Sequence, residues 1–172
     1  HIVFAVSKFI TSITVGILES KGVLDVNKNI SYYIPEIKGS AYDTATIRNV
    51  LDMNVASNFI EDYLNPSGIF GEYRNATGWD KSVSLKNNED GLRIFLSKMP
   101  KSKLNHGEKY HYCSPHSDLL GWLIERTTGE KYSSVMSNLL FKPSGTIHDS
   151  NVTLDKWGAP RSAGGISVSP YD

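Results

Sequence analysis

The sequence predicts a mainly helical chain, and three observations lead there. Apolar residues recur at the spacing of one helix face in five separate stretches. Only one segment, residues 107–113, reads as short and β-like. The tail, residues 142–172, is rich in turn formers and carries little helical period.

The first helix is expected over about residues 5–21, with Val6, Phe9, Ile10, Ile13 and Ile17 on one face and Gly22 as its stop signal. Pro35 breaks any helix in the short segment that ends at Ile37. A second helix is expected over 46–55, burying Ile47, Val50, Leu51 and Met53. Residues 56–88 read as a long irregular region containing Pro66, Gly68, Gly71 and Gly78. Its aromatics, Phe59, Tyr63, Phe70, Tyr73 and Trp79, either pin that loop to the body or line a pocket. A third helix is expected over 88–99, with Leu92, Ile94, Phe95 and Met99 inward and Pro100 as its end. Ser114 is expected to cap a fourth helix, with Pro115 at its first position, Leu119, Leu120, Leu123 and Ile124 as its stripe, and Gly129 closing it. A fifth covers 131–141, with Val135, Met136, Leu139 and Leu140 inward.

A length of 172 residues suits one domain, and 40% hydrophobic with 21% charged residues is an ordinary globular composition. Lys+Arg and Asp+Glu are both 18, so no basic surplus points to nucleic acid. No apolar run is long enough to span a bilayer. The single cysteine, Cys113, excludes an intrachain disulfide and leaves the compartment open. His1 to Phe4 lead into the first helix without a cap, and Ser169-Pro170-Tyr171-Asp172 resembles the start of another helix. The expectation is one partial domain over residues 1–172, truncated at both ends, with the remainder of that domain as a candidate partner.

The chemistry concentrates at two places. Ala5 and Lys8 are three apart at the start of the first helix and so share a side of it. A serine at 5 would lie against the Lys8 amine, the Ser-x-x-Lys arrangement of serine acylases, but Ala5 has no hydroxyl. Ser7 neighbours Lys8 in sequence and points elsewhere, so it is no substitute. Tyr112, just before the fourth helix, is the second place. A phenol beside an ammonium is favoured as its anion, which makes it a general base. From the residues alone a solvated lysine and a core-packing tyrosine are the ordinary readings, and the catalytic ones stand second to them. His106, His111 and His116 recur every five residues and share no helical face, so no metal site and no cofactor are expected.

Taken in order, these segments resemble the serine β-lactamase/penicillin-binding-protein-like hydrolases. Ala5-Val6-Ser7-Lys8 resembles the Ser-x-x-Lys segment. Tyr112-Cys113-Ser114, running on to Leu119-Leu120-Gly121, resembles the Tyr-x-Asn segment and its following helix. Glu125-Arg126-Thr127-Thr128-Gly129 and Phe141-Lys142-Pro143-Ser144-Gly145 also fit. The run from Thr153 to Gly165, with Leu51-Asp52-Met53 and Glu61-Asp62-Tyr63, is similar to the branch of class C-like esterases and 6-aminohexanoate-dimer hydrolases. The resemblance implies an α+β, β-lactamase/transpeptidase-like fold, of which this chain holds mainly the helical portion without its N- and C-terminal sheet strands. It implies position 5 as the nucleophile position, Lys8 as its lysine partner and Tyr112 as general acid/base. The N–H of residue 5 would be half of an oxyanion hole.

Two departures shape the functional expectation. Ala5 replaces the serine, so this form is expected to be inactive, as an engineered knockout or a natural pseudoenzyme. Ser114 replaces the asparagine of Tyr-x-Asn at a substrate-binding place, which favours an esterase or linear-amide hydrolase over a β-lactamase or D-Ala-D-Ala peptidase. The expected substrate is a small ester or amide. The alternative is a non-catalytic binder of a small acyl or peptide-like ligand, and a weaker one is a helical interaction module.

Overall fold

A computed structural model describes residues 1–79 and 90–172. Its helices are α1 (Val6–Ser20), the single turn α2 (Ile30–Tyr33), α3 (Ile47–Leu51), α4 (Ile69–Ala76), α5 (Leu92–Ser97), α6 (Ser114–Thr128), α7 (Tyr132–Met136) and the short α8 (Lys142–Ser144). A 3-10 turn, Pro35–Ile37, follows α2, and a π-helical turn, Ser137–Phe141, joins α7 to α8. The strands β1 (Asn151–Val152) and β2 (Ile166–Ser167) pair antiparallel, with Asn151 opposite Ser167 and Val152 opposite Ile166. Ile2 bridges to Ser167 on the other side of β2, so the first residues extend this small sheet.

α6 is the centre of the molecule. Residues 114–124 are all buried, which is the pattern of a helix packed on every side. It lies against α1, α3 and α7, with further contacts to α2 and α5. Leu119, Leu120, Leu123 and Ile124 join the core as expected, and Gly129 ends the helix in the left-handed conformation at φ 71°.

The apolar stripe of α1 is not its buried side. Val6 and Phe9 are 56% and 66% exposed, and the residues facing inward are Ser7, Thr11, Thr14, Val15 and Leu18. The hydroxyls are accommodated because each is bonded. Ser7 Oγ accepts the Ile166 N–H (3.2 Å), and Thr11 Oγ1 sits 2.8 Å from the Tyr132 hydroxyl and 3.0 Å from the Ser162 carbonyl. Thr14 Oγ1 donates to the Ile10 carbonyl (3.1 Å).

Other boundaries also move. α3 stops at Leu51, four residues short of expectation, because Met53 adopts φ 54° and cannot continue a helix. Its start is a capping box between Thr46 and Asn49. The irregular region contains the unexpected helix α4, entered at Gly68. Gly71 inside it is required by a close approach, since a Cβ there would lie 1.8 Å from the Pro66 carbonyl oxygen. α5 is shorter than the expected third helix, whose residues 88 and 89 lie outside the described residues, as does the end of the irregular region. Ile94, expected inside, is 41% exposed, while Leu92, Leu96 and Met99 carry the burial. Residues 107–113 form no strand; they lie along α3's exit through Gly107 N–H to Asn54 O (2.9 Å) and His111 N–H to Met53 O (2.6 Å). Cys113, rather than Ser114, occupies the N-cap position of α6. The expected fifth helix is divided into α7 and the π turn, with Leu139 and Leu140 only half-buried.

Candidate functional site

The start of α1 forms one wall of a cleft. Phe4 stands at φ 45°, a left-handed conformation that non-glycine residues adopt only where their surroundings hold them. The chain turns there and enters α1 through Ala5 (φ −63°, ψ −16°). Val3 N–H is tied to Ile166 O (2.9 Å), Val6 N–H to Val3 O (3.1 Å) and Ser7 N–H to Phe4 O (2.9 Å). Among the described residues the Ala5 N–H has no acceptor, as the first donors of a helix have none within it.

The cleft encloses about 270 Å³ and is bordered by Ala5, Lys8, Tyr112 and Ser114, the four residues singled out from the sequence. Lys8 Nζ donates to the Ala163 carbonyl (2.7 Å) and sits over the Tyr112 ring, 5.1 Å from its centre. The amine therefore meets the ring face in a cation–π arrangement, and among the described residues no hydrogen bond joins it to the phenol. Tyr112 is partly exposed and Ser114 is buried. Ser7, with no exposure, is spent on the Ile166 N–H and does not face the cleft.

Sequence reasoning missed three groups. Glu61 borders the cleft and accepts the Ser114 N–H (2.7 Å) and Ser114 hydroxyl (3.0 Å). Its other donor is Tyr63 OH (3.1 Å), whose pKa is raised by partial burial and by the Glu61 charge. The expected N-cap hydroxyl of Ser114 is thus committed to a carboxylate from a distant loop, a pairing with no local signal. Arg161 also borders the cleft. Its Nη1 bonds Asp118 Oδ2 (2.7 Å) and the Tyr73 hydroxyl, and its guanidinium lies 4.7 Å from the Tyr73 ring centre and 5.7 Å from that of Trp79. Burial works against the Arg161 charge, but Tyr73 and Asp118 outweigh it and raise its pKa. Burial, and then the Asp118 charge, drives the Tyr73 phenol well above its ordinary range. Asp118 could have been noticed: an acid inside a helix buried on all sides needs partners.

The loop aromatics serve both expected purposes. Phe59, Phe70 and Tyr73 are buried and stack edge-on or tilted, so they pin the segment. Tyr63, Phe70 and Trp79 also border the cleft, and Trp79 meets Phe4 edge-on at 6.3 Å. Arg161 through Gly165 closes the opposite wall in a tight turn, with Gly165 N–H on Arg161 O (2.7 Å). A Cβ on Gly165 would lie 2.1 Å from Thr153 Oγ1.

Of the three histidines, His106 accepts the Ala56 N–H on Nδ1 (3.0 Å) and meets Thr44 through Nε2 (3.0 Å), which staples the loop. His116 is fully buried against Tyr42. Among the described residues no group of three or more His, Cys, Asp or Glu could hold a metal ion.

The family model described as Beta-lactamase matches residues 1–170. The chain belongs to the Beta-lactamase family. It is 30% identical over 176 residues to the 6-aminohexanoate-dimer hydrolase of Paenarthrobacter ureafaciens, covering 100% of this chain and 43% of that one. Among solved structures, a provisionally assigned 6-aminohexanoate-dimer hydrolase from Bacillus anthracis matches with a TM-score of 0.81 at 18% identity, over 96% of this chain and 43% of that one. A class C β-lactamase matches with a TM-score of 0.66 at 17% identity, over 96% and 45%. The β-lactamase/transpeptidase-like fold is thereby shared, in a chain that is mainly helical with few strands. The chain spans less than half the length of these relatives.

Proposed function

We propose that this chain is part of a serine hydrolase that acts on a small ester or linear amide through an acyl-enzyme, with Ala5 at the nucleophile position. The observation that carries this reading is the meeting of Ala5, Lys8 and Tyr112 in one cleft, with the Lys8 amine fixed by Ala163 and stacked on Tyr112. A serine at 5 would attack the carbonyl carbon. Its proton would pass to the Lys8–Tyr112 pair and later to the leaving alcohol or amine, and water would then release the acyl group. The free N–H of residue 5, at the positive end of α1, would face the carbonyl oxygen as charge develops. Ser114 stands at the substrate-binding place with its hydroxyl held by Glu61. The similarity to a 6-aminohexanoate-dimer hydrolase supports a linear amide as one substrate class.

Ala5 itself favours a second reading, a binder that has kept the cleft and lost turnover. The native codon at position 5 separates an engineered alanine from a natural one. The chemical test is Ala5→Ser in the complete protein, with turnover of an activated ester followed alongside a mass-spectrometric search for an acyl adduct on residue 5. Loss of a serine nucleophile in another hydrolase lowers kcat by on the order of 10⁶, so restoration is expected to be unmistakable. A folded Ala5→Ser protein with no adduct and no turnover of esters, linear amides or β-lactams would leave the binding reading in its place.

A further inference from the structure

We infer that Asp118 is a positioning residue for the Lys8 amine, acting through both backbone groups of Ala163. Asp118 lies on the central helix α6, is 1% exposed, and gathers donors from two other parts of the chain. Oδ2 accepts the Tyr73 hydroxyl (2.5 Å) from α4 and Arg161 Nη1 (2.7 Å). Oδ1 accepts the Ala163 N–H (2.7 Å), with Ser162 Oγ at 3.4 Å. Ala163 in turn presents its carbonyl to Lys8 Nζ (2.7 Å). Residue 163 is thus held at its N–H by α6 and at its C=O by the amine.

The geometry gives this linkage a direction. Rotating the Asp118 carboxylate to release Ala163 would also take Oδ2 away from the buried Tyr73 hydroxyl and from Arg161, so two further bonds would break with the first. The carboxylate is therefore fixed, and it fixes the one carbonyl that, among the described residues, accepts a hydrogen bond from Lys8. Ser162 adds a second restraint, since its hydroxyl donates to the Ser117 carbonyl on α6 (2.9 Å). An ammonium on four rotatable bonds has no preferred place of its own. Here its place is referred back, through one residue, to the most buried helix of the molecule. Arg161 and Tyr73 act as the clamp on Asp118, while Asp118 is the group whose acceptor reaches toward the cleft.

The experiment is residue-resolved acetylation of the folded protein, with Ala5 as it stands, by an N-hydroxysuccinimide ester. Lys8 is compared with the exposed Lys21 and Lys131, and unfolding is measured in parallel. In Asp118→Asn, either amide orientation turns an NH₂ toward an existing donor, Ala163 N–H on one side or Tyr73 and Arg161 on the other. A neutral amide cannot satisfy both sets of donors and, unlike the carboxylate, carries no charge to hold them. The Ala163 anchor therefore loosens and with it the acceptor that holds Lys8, whose labelling is expected to rise about tenfold with the reference lysines unchanged. Tyr73→Phe removes a buried donor from the same carboxylate but leaves the Ala163 arm, so Lys8 labelling is expected to stay within about twofold. A folded Asp118→Asn protein with unchanged Lys8 labelling would overturn the inference, as would an equal rise in Tyr73→Phe. If Asp118→Asn does not fold, Asp118→Glu, which keeps the charge beside Arg161 and lengthens the arm toward Ala163, is read in the same way. The catalytic meaning rests on the hydrolase reading, but the labelling does not. A Lys8 response without turnover in the Ala5→Ser protein would count against that reading alone.

Discussion

Acid should destabilise this fold through His116, and the amount follows from where the ring sits. His116 has no solvent exposure, and its Nδ1 is 3.0 Å from the Tyr42 hydroxyl while its Nε2 has no hydrogen-bond partner among the described residues. Burial first, and then the nearby His111 and His106, lower its pKa from 6.5 to about 3. The native ring therefore stays neutral where the unfolded ring has already taken a proton. Its contribution is fully present above pH 6.5, is lost as the pH falls toward 3, and changes no further below that. At about pH 5 the unfolded ring is favoured by roughly 1.5 decades, or about 2 kcal/mol of lost stability. For a chain of this length that corresponds to a fall of about 4–8 °C in Tm. The assay is denaturant or thermal unfolding at pH 7.5 and 5.0 for the native protein and for His116→Gln. The glutamine keeps a group that can meet Tyr42 and removes the titration. All other groups titrate alike in both proteins, so the pH-dependent loss is expected to be about 2 kcal/mol smaller in the variant. An equal loss in both would show that this ring is not what acid attacks.

Further expectations address other parts of the fold and site. On an active Ala5→Ser background, Lys8→Ala or Tyr112→Phe is expected to remove most of the ester turnover, checked by kcat/KM with stability measured alongside. Gly71→Ala forces a Cβ to within 1.8 Å of the Pro66 carbonyl oxygen and is expected to lower stability by about 1–3 kcal/mol in chemical denaturation. Thr46→Ala breaks the capping box of α3 and is expected to reduce stability by about 1 kcal/mol in the same assay. Phe9→Gln, on the exposed side of α1, is expected to change the stability of this chain by no more than about 0.5 kcal/mol.

Much of this arrangement is legible in the sequence, and the divisions have physical causes. α6 was legible because Pro115, the leucine pairs and Gly129 all signal the same helix. Lys8 and Ala5 were legible because their spacing along a helix is local. α4 was not, because Gly68 and Gly71 are ordinarily turn formers, and only the path of the chain entering the helix, which brings the Pro66 carbonyl against Gly71, explains a glycine inside it. The inward side of α1 was misjudged because periodicity ranks side chains by hydrophobicity, whereas here the bonded hydroxyls of Ser7, Thr11 and Thr14 are buried and Val6 and Phe9 are not. Glu61, Asp118 and Arg161 escaped notice as site groups because the contacts that tie Glu61 to Ser114 and Asp118 to Arg161 span 53 and 43 positions of sequence.

The hydroxyl-lined side of α1 has a mechanical consequence. An apolar helix face is held by the shape of what it packs against, because a single dispersion contact has no direction. Ser7, Thr11 and Thr14 are different, since each requires a particular atom at a particular angle: the Ile166 N–H, the Tyr132 hydroxyl with the Ser162 carbonyl, and the α1 backbone beside Met136. Turning α1 by one residue, roughly 100° about its axis, would break all of the contacts that reach beyond the helix at once. The helix is thus keyed like a shaft in a slotted bearing. Ala5 and Lys8, at its cleft end, inherit both the depth and the angle that this key sets.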